Sequence, residues 1–146
     1  MLRGHATAKV DEKGRLKIPA EFLEKFLALC GESRLTYLTS MDGKVALLYP
    51  LPVWEEQERK LSRLSSLDEH VGNFSDAVSY WGHEQPVDSQ GRILIPSRLR
   101  ETARIGGTVS VFGQQRRLAI RDHEELRTNP PVVTKEDLAW LAAQGL

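Results

Sequence analysis

Apolar residues follow one rhythm along the first fifty positions and return to it later. Thr7 to Val10 and Arg15 to Ile18 alternate or run aliphatic, and the Asp11-Glu12-Lys13-Gly14 stretch between them has turn chemistry, which predicts a short β-hairpin. Pro19 ends the second strand and opens a helix in which Phe22, Leu23, Phe26, Leu27 and Cys30 recur at helical spacing up to Gly31. Leu35 to Thr39 and Val45 to Tyr49 read as strands joined across Met41-Asp42-Gly43-Lys44, since Asp-Gly is a hairpin signal. Pro50 and Pro52 close this unit. From Val53 to about Leu67 the apolar Trp54, Leu61, Leu64 and Leu67 sit among charged residues, as in an amphipathic connector helix. Phe74 to Tyr80 reads either as a second, shorter helix or as a lead into the next strand.

The plan then repeats. Trp81 to Val87 and Arg92 to Ile95 flank an Asp88-Ser89-Gln90-Gly91 turn, and Pro96 opens a helix holding Leu99, Ala103 and Ile105 that Gly106-Gly107 ends. Thr108 to Phe112 and Arg117 to Ile120 are the closing strands, around Gly113-Gln114-Gln115-Arg116. Beyond His123 the chain is acidic, passes Asn129-Pro130-Pro131, and offers a short helix from Thr134 to Ala143 with Thr134 and Asp137 as its cap. This tail is expected to be peripheral.

The repetition extends to residue identity. Val10-Asp11-Glu12-Lys13-Gly14-Arg15-Leu16-Lys17-Ile18-Pro19-Ala20 returns as Val87-Asp88-Ser89-Gln90-Gly91-Arg92-Ile93-Leu94-Ile95-Pro96-Ser97, 77 positions later. The chain therefore reads as a first unit over residues 1–50, a helical connector over 51–76, a second copy over 77–123 and an acidic tail over 124–146. Units this small bury little core alone, so the copies are expected to fold against each other or against other chains. The fold class is mainly β with short helices, α+β.

The formal net charge is zero, yet the charges are not mixed evenly. Residues 1–25 carry six Lys and Arg against four Asp and Glu, and residues 88–121 carry seven against two. Residues 51–76 carry three against six, and 122–146 two against five. Basic charge thus gathers in the repeated units, where a face for phosphates remains available. No apolar run approaches a membrane span, and the start of the chain is polar rather than signal-like, so a soluble cytoplasmic protein is expected, nucleoid-associated if its basic face binds DNA. Cys30 is the single cysteine and reads as a small buried residue.

Enzyme constellations are missing. His5, His70, His83 and His123 are scattered without metal-ligand spacing, and no nucleophile elbow, Walker loop or dinucleotide-binding glycine motif occurs, so no catalytic residue, metal site or cofactor is assigned. The aromatic residues read as core, with Trp81 also suited to an interface between units or chains. What remains is the Asp-x-x-Gly-Arg turn. Asp11 and Gly14, like Asp88 and Gly91, are explained by turn geometry and orient the loop. Arg15 and Arg92 are not. They either pair with their own aspartates and stiffen the hairpin, or face a nucleic-acid groove together with Lys13, Lys9, Lys17 and Arg3. Two matched copies favour the second reading, because paired arginine loops suit a groove and its flanking phosphates.

The doubled Asp-x-x-x-Arg pattern, the Lys-Gly-Arg-Leu-x-Ile-Pro and Gln-Gly-Arg-Ile-x-Ile-Pro segments, the opening Met-x-Arg-Gly and the Leu-Arg-Glu-x-Ala run from Leu99 to Ala103 resemble the MraZ transcriptional regulators. These belong to the swapped-hairpin group that includes AbrB-like proteins. The resemblance covers about residues 1–122 and implies two AbrB-like units whose strands interleave into an intrachain double-psi-like barrel, with the connector helix outside. It implies a homo-oligomer, a closed ring, that binds short direct repeats in double-stranded DNA upstream of the bacterial division and cell-wall gene cluster containing its own gene. Arg15 and Arg92 would contact DNA, with Lys13 beside the first, and neither a membrane nor a small-molecule substrate is implied. The connector departs from the family's Arg-x-Phe-x-Arg pattern, with Phe74 lacking flanking arginines, and Ser89-Gln90 replaces Glu12-Lys13 in the second loop. The alternative is an antitoxin-like or scaffolding module that clamps a protein partner through the acidic tail.

Overall fold

The structure, a computed structural model, describes residues 1–146. Strands β1 (Leu2–Val10) and β2 (Arg15–Lys17) are followed by helix α1 (Ala20–Cys30) and strands β3 (Leu35–Thr39) and β4 (Ala46–Pro50). Helices α2 (Leu51–Ser62) and α3 (Glu69–Tyr80) lead to β5 (His83–Pro86), β6 (Arg92–Leu94), α4 (Ser97–Ala103), β7 (Gly107–Gln115) and β8 (Arg117–Asp122). The chain ends in α5 (His123–Thr128) and α6 (Lys135–Ala143).

All eight strands join one antiparallel sheet in the order β5-β3-β4-β8-β7-β1-β2-β6. The first hairpin strand of each half pairs with the other half: β1 lies along β7 from Leu2↔Gln115 to Val10↔Gly107, and β5 lies along β3 from Leu35↔Pro86 to Leu38↔His83. β2 pairs with β6 and β4 with β8, so each half meets its counterpart across a pseudo-twofold axis. This interleaving produces the nearly closed double-psi-like barrel. At the remaining gap, β5 and β6 share no ladder, and Gln85 bridges them. Its Nε2 donates to the Leu94 carbonyl and its Oε1 accepts from the Leu94 amide, both at 2.7 Å.

The barrel is filled by both halves at once. Leu16, Ile18, Phe26 and Leu38 of the first half interdigitate with Ile93, Ile95, Leu99, Val111 and Ile120 of the second in one apolar cluster. Each proline after the hairpin, Pro19 and Pro96, sits at a helix N-cap, and α1 turns Phe22, Phe26 and Cys30 into the core. A second cluster lies outside the barrel. There Trp54 of α2 stacks on Tyr37 of β3 with ring centroids 4.9 Å apart, beside Val53 and Val78, so the α2/α3 pair covers one sheet face.

Several elements differ from the sequence expectation. β1 begins at Leu2 rather than Thr7, because between Leu2 and Val10 the alternate positions are Gly4, Ala6 and Ala8, of which only Ala6 is buried, and they are too small to register as hydrophobic alternation. β7 runs on to Gln115, and the turn into β8 is confined to Arg116 and a left-handed Gln115 (φ 66°). α2 stops at Ser62, short of Leu67, which leaves Leu64 and Leu67 exposed. The open question over residues 74–80 resolves as helix. Asp68 caps α3 by accepting the His70 amide at 2.8 Å, and Phe74 packs against the Trp54 cluster. The tail is not wholly peripheral, since α5 buries Leu126, whereas α6 has the expected capping box, with Thr134 and Asp137 exchanging bonds at 3.0 Å.

Candidate nucleic-acid interface

The two Asp-x-x-Gly-Arg turns are built by matching sets of bonds. Asp11 Oδ1 accepts the amides of Lys13 and Arg15, both at 2.9 Å, while Oδ2 accepts Arg15 Nε at 3.0 Å. Asp88 Oδ1 accepts the amides of Gln90 at 2.8 Å and Arg92 at 2.9 Å, and Oδ2 accepts Arg92 Nε at 2.9 Å. In each turn the Gly amide returns to the Asp carbonyl at 3.0 Å, from a Gly held at positive φ, 85° for Gly14 and 76° for Gly91. The Arg15 amide, with the Arg15 guanidinium, holds the Asp11 carboxyl below the usual range. At Asp88 partial burial opposes ionisation, but the Arg92 amide, its guanidinium and the Gln90 amide outweigh it, and the net direction is again downward.

The pairing with the aspartates is present in both loops, and it leaves part of each guanidinium unused. Each arginine spends only Nε on its aspartate, and neither η nitrogen has a protein partner. The carboxylate aims the guanidinium, and the outer edge stays free to donate two bonds to an anion or a base edge.

The strand pairing brings both arginines to one place. In the β2/β6 ladder Arg15 faces Leu94 and Lys17 faces Arg92, while Leu16 and Ile93 between them point into the core. Arg15 and Arg92 are diagonal neighbours on the outer face, with Cα atoms about 7–8 Å apart. The loops are also tied to one another: the Ile18 amide donates to the Gly91 carbonyl at 2.9 Å, and the Ile95 amide to the Gly14 carbonyl at 2.8 Å. Lys13, in the first loop, and Lys9, at the loop end of β1, are exposed beside this face.

Arg3 is not. It pairs with Gln114 at the opposite end of β1, seven strand positions or about 23 Å from Val10, so the expectation that it stands near the first loop is corrected by the full length of that strand. The charge excess of residues 88–121 is likewise divided. Arg116 is held by Glu56 at 2.7 Å at the far end of β7, and Arg98 lies over the Tyr80 ring at 4.5 Å.

Two arginines that sequence reasoning passed over join the loops. Arg100 of α4 donates from Nε to the Ile95 carbonyl at 2.8 Å and lies across the first loop, where a Cβ on Gly14 would come 2.5 Å from its Nε. The same offset of 77 gives Leu23 as its counterpart, and Leu23 lies across Gly91 of the second loop. Arg34 buttresses the second loop, donating from Nε to the Val87 carbonyl at 3.0 Å and from Nη2 to the Asp88 carbonyl at 2.7 Å. Aligning the two copies beyond the turn would have flagged Arg100; Arg34 has no counterpart signal.

Other candidate chemistry lies elsewhere. Burial pushes the Cys30 thiol up to about 12, which leaves it protonated and unreactive. His123 shares a 2.9 Å bond with the buried Ser110 hydroxyl and lies near His5, with no third ligand to form a metal cluster. Trp54 is core and Trp81 packs half-buried against the barrel, whereas Trp140 is exposed on α6. No helix is long and apolar enough to cross a membrane.

The chain matches a family model described as "MraZ protein, putative antitoxin-like" over residues 1–72 and 82–128. It is 42% identical to the transcriptional regulator MraZ of Acidobacterium capsulatum, with 100% of both chains covered. It is 40% identical to that of Koribacter versatilis, again over 100% of both, and 33% identical to that of Pseudoalteromonas atlantica over 100% of this chain and 97% of the relative.

Proposed function

Because the chain belongs to the MraZ family of transcriptional regulators, we propose that it reads DNA through the β2/β6 face, with Arg15 and Arg92 as the recognising residues. The observation that carries this reading is the pair of arginines, each held through Nε by its own aspartate with both η nitrogens free. A guanidinium fixed in this way loses little freedom on binding and presents a planar fork to a guanine edge or a phosphate. Lys13, Lys9, Lys17 and Arg100 surround it and supply the sequence-independent attraction to phosphates.

Each face is small, so one subunit binds weakly. Specific regulation comes from a homo-oligomer, a closed ring, that sets several faces on successive short direct repeats, where tethering makes each later contact effectively intramolecular. The target is the region upstream of the division and cell-wall gene cluster that contains the protein's own gene. Footprinting of that region tests the proposal: protection in evenly spaced blocks over direct repeats is expected, and protection indifferent to sequence would overturn it. The logarithm of the affinity should also fall linearly with that of the salt concentration, with a slope of about −0.9 for each phosphate neutralised.

A further inference from the structure

Two unpartnered surfaces of this chain complement each other. The first is α6, which packs on no part of the barrel: all of its residues are exposed except the half-buried Leu141. Its sequence from Leu138 to Ala143 is uninterrupted apolar, and Trp140 retains 64% of its surface. A nine-residue helix is marginal in water, and one that is apolar on nearly every side is built to be buried. The second is a groove of about 410 Å³ between α2 and α3, floored by Leu61, Leu64, Val71 and Phe74 and rimmed by Lys60 and His70. Leu64 keeps 59% of its surface there, beside the basic last turn of α2 with Arg59 and Lys60.

We infer that α6 of one copy docks in the α2/α3 groove of a second copy. Glu136, Asp137, Trp140 and Leu141 share one face of α6, with Val133 of the linker beside them, which joins an indole to two carboxylates. The groove offers an apolar floor with the Lys60 ammonium on its rim, so the indole fills the floor and a carboxylate meets Lys60. The Asn129-Pro130-Pro131-Val132-Val133 linker has no regular structure and, at polyproline spacing, reaches about 15 Å. Two consecutive prolines stiffen it and project α6 outward, which favours a neighbour over the chain's own groove. The inference is independent of the DNA-reading proposal.

Cysteine cross-linking of co-expressed chains tests it. One chain carries Lys60→Cys and the other, distinguished by size, carries Glu136→Cys, which leaves the Thr134–Asp137 capping box of α6 intact, while the native Cys30 is buried and stays out of the chemistry. The expected result is a mixed disulfide dimer that forms in preference to either homodimer on mild oxidation. Trp140→Ala added to the second chain should weaken the association about thirty-fold, as loss of a central aromatic anchor does. Absence of the mixed dimer would overturn the inference. So would a disulfide that forms only within single chains carrying both Lys60→Cys and Glu136→Cys, diluted in cysteine-free chains, or cross-linking of Glu136→Cys to a protein of different sequence.

Discussion

At the scale of single residues, the two loop aspartates set the pH behaviour. Both carboxyls lie below the ordinary value of 3.8 in the folded protein, so their contribution is fully present above that value and is lost as pH falls below it through the depressed folded values. DNA binding should therefore be indifferent to these groups near neutrality. Thermal unfolding followed from pH 5 downward should show a shallower loss of stability below about pH 4 in the Asp11→Asn, Asp88→Asn double variant than in the native protein. Gly14 is constrained twice, by φ of 85° and by Arg100 across it. Gly14→Ala should cost about 1–2 kcal/mol in chemical denaturation for the left-handed backbone, and should displace Arg100 from the loop.

At the scale of elements, the short β5/β6 hairpin depends on a side chain where a ladder is missing. Gln85→Ala removes two neutral hydrogen bonds and should lower unfolding stability by about 1–2 kcal/mol, measurable as a denaturant midpoint shift without a change in slope. Phe26 is fully buried among side chains from both halves, and Phe26→Ala should cost about 3–5 kcal/mol. Element types were mostly readable in the sequence, because Asp-x-x-Gly and Pro punctuate strands and helices with local chemistry. The extents were not. β1 hid its first half behind Gly4, Ala6 and Ala8, whose small side chains give no periodic signal, and α2 ended before its apolar pattern did, leaving Leu64 to a groove. Nothing local could show Gln85 closing the barrel, since its partner Leu94 lies across a turn and the bond substitutes for a ladder.

At the scale of the whole molecule, interleaving redistributes charge between the halves. Counting along the chain assigned Arg100 to the second unit, but the swapped topology lays it over the first loop, next to Lys13 and the Arg15 fork. The second loop has Leu23, Ser89 and Gln90 in the matching places and is stiffened from behind by Arg34. The duplication and the two arginines were legible because they repeat as residue identities. The inequality of the halves was not, because it depends on which helix crosses which loop. The molecule is thus pseudo-symmetric with one loop more cationic than the other, and, on the proposed DNA reading, removing Arg15 should cost more DNA affinity than removing Arg92.

The most direct test compares the affinity of the native protein, Arg15→Ala and Arg15→Lys for the upstream repeat region, with the oligomer mass of each measured alongside. Recognition by the Arg15 fork predicts unchanged mass, loss of specific binding in Arg15→Ala, and weak, sequence-indifferent binding in Arg15→Lys, because lysine keeps the charge but not the Nε-anchored fork. Specific binding retained by Arg15→Ala at native oligomer mass would contradict it.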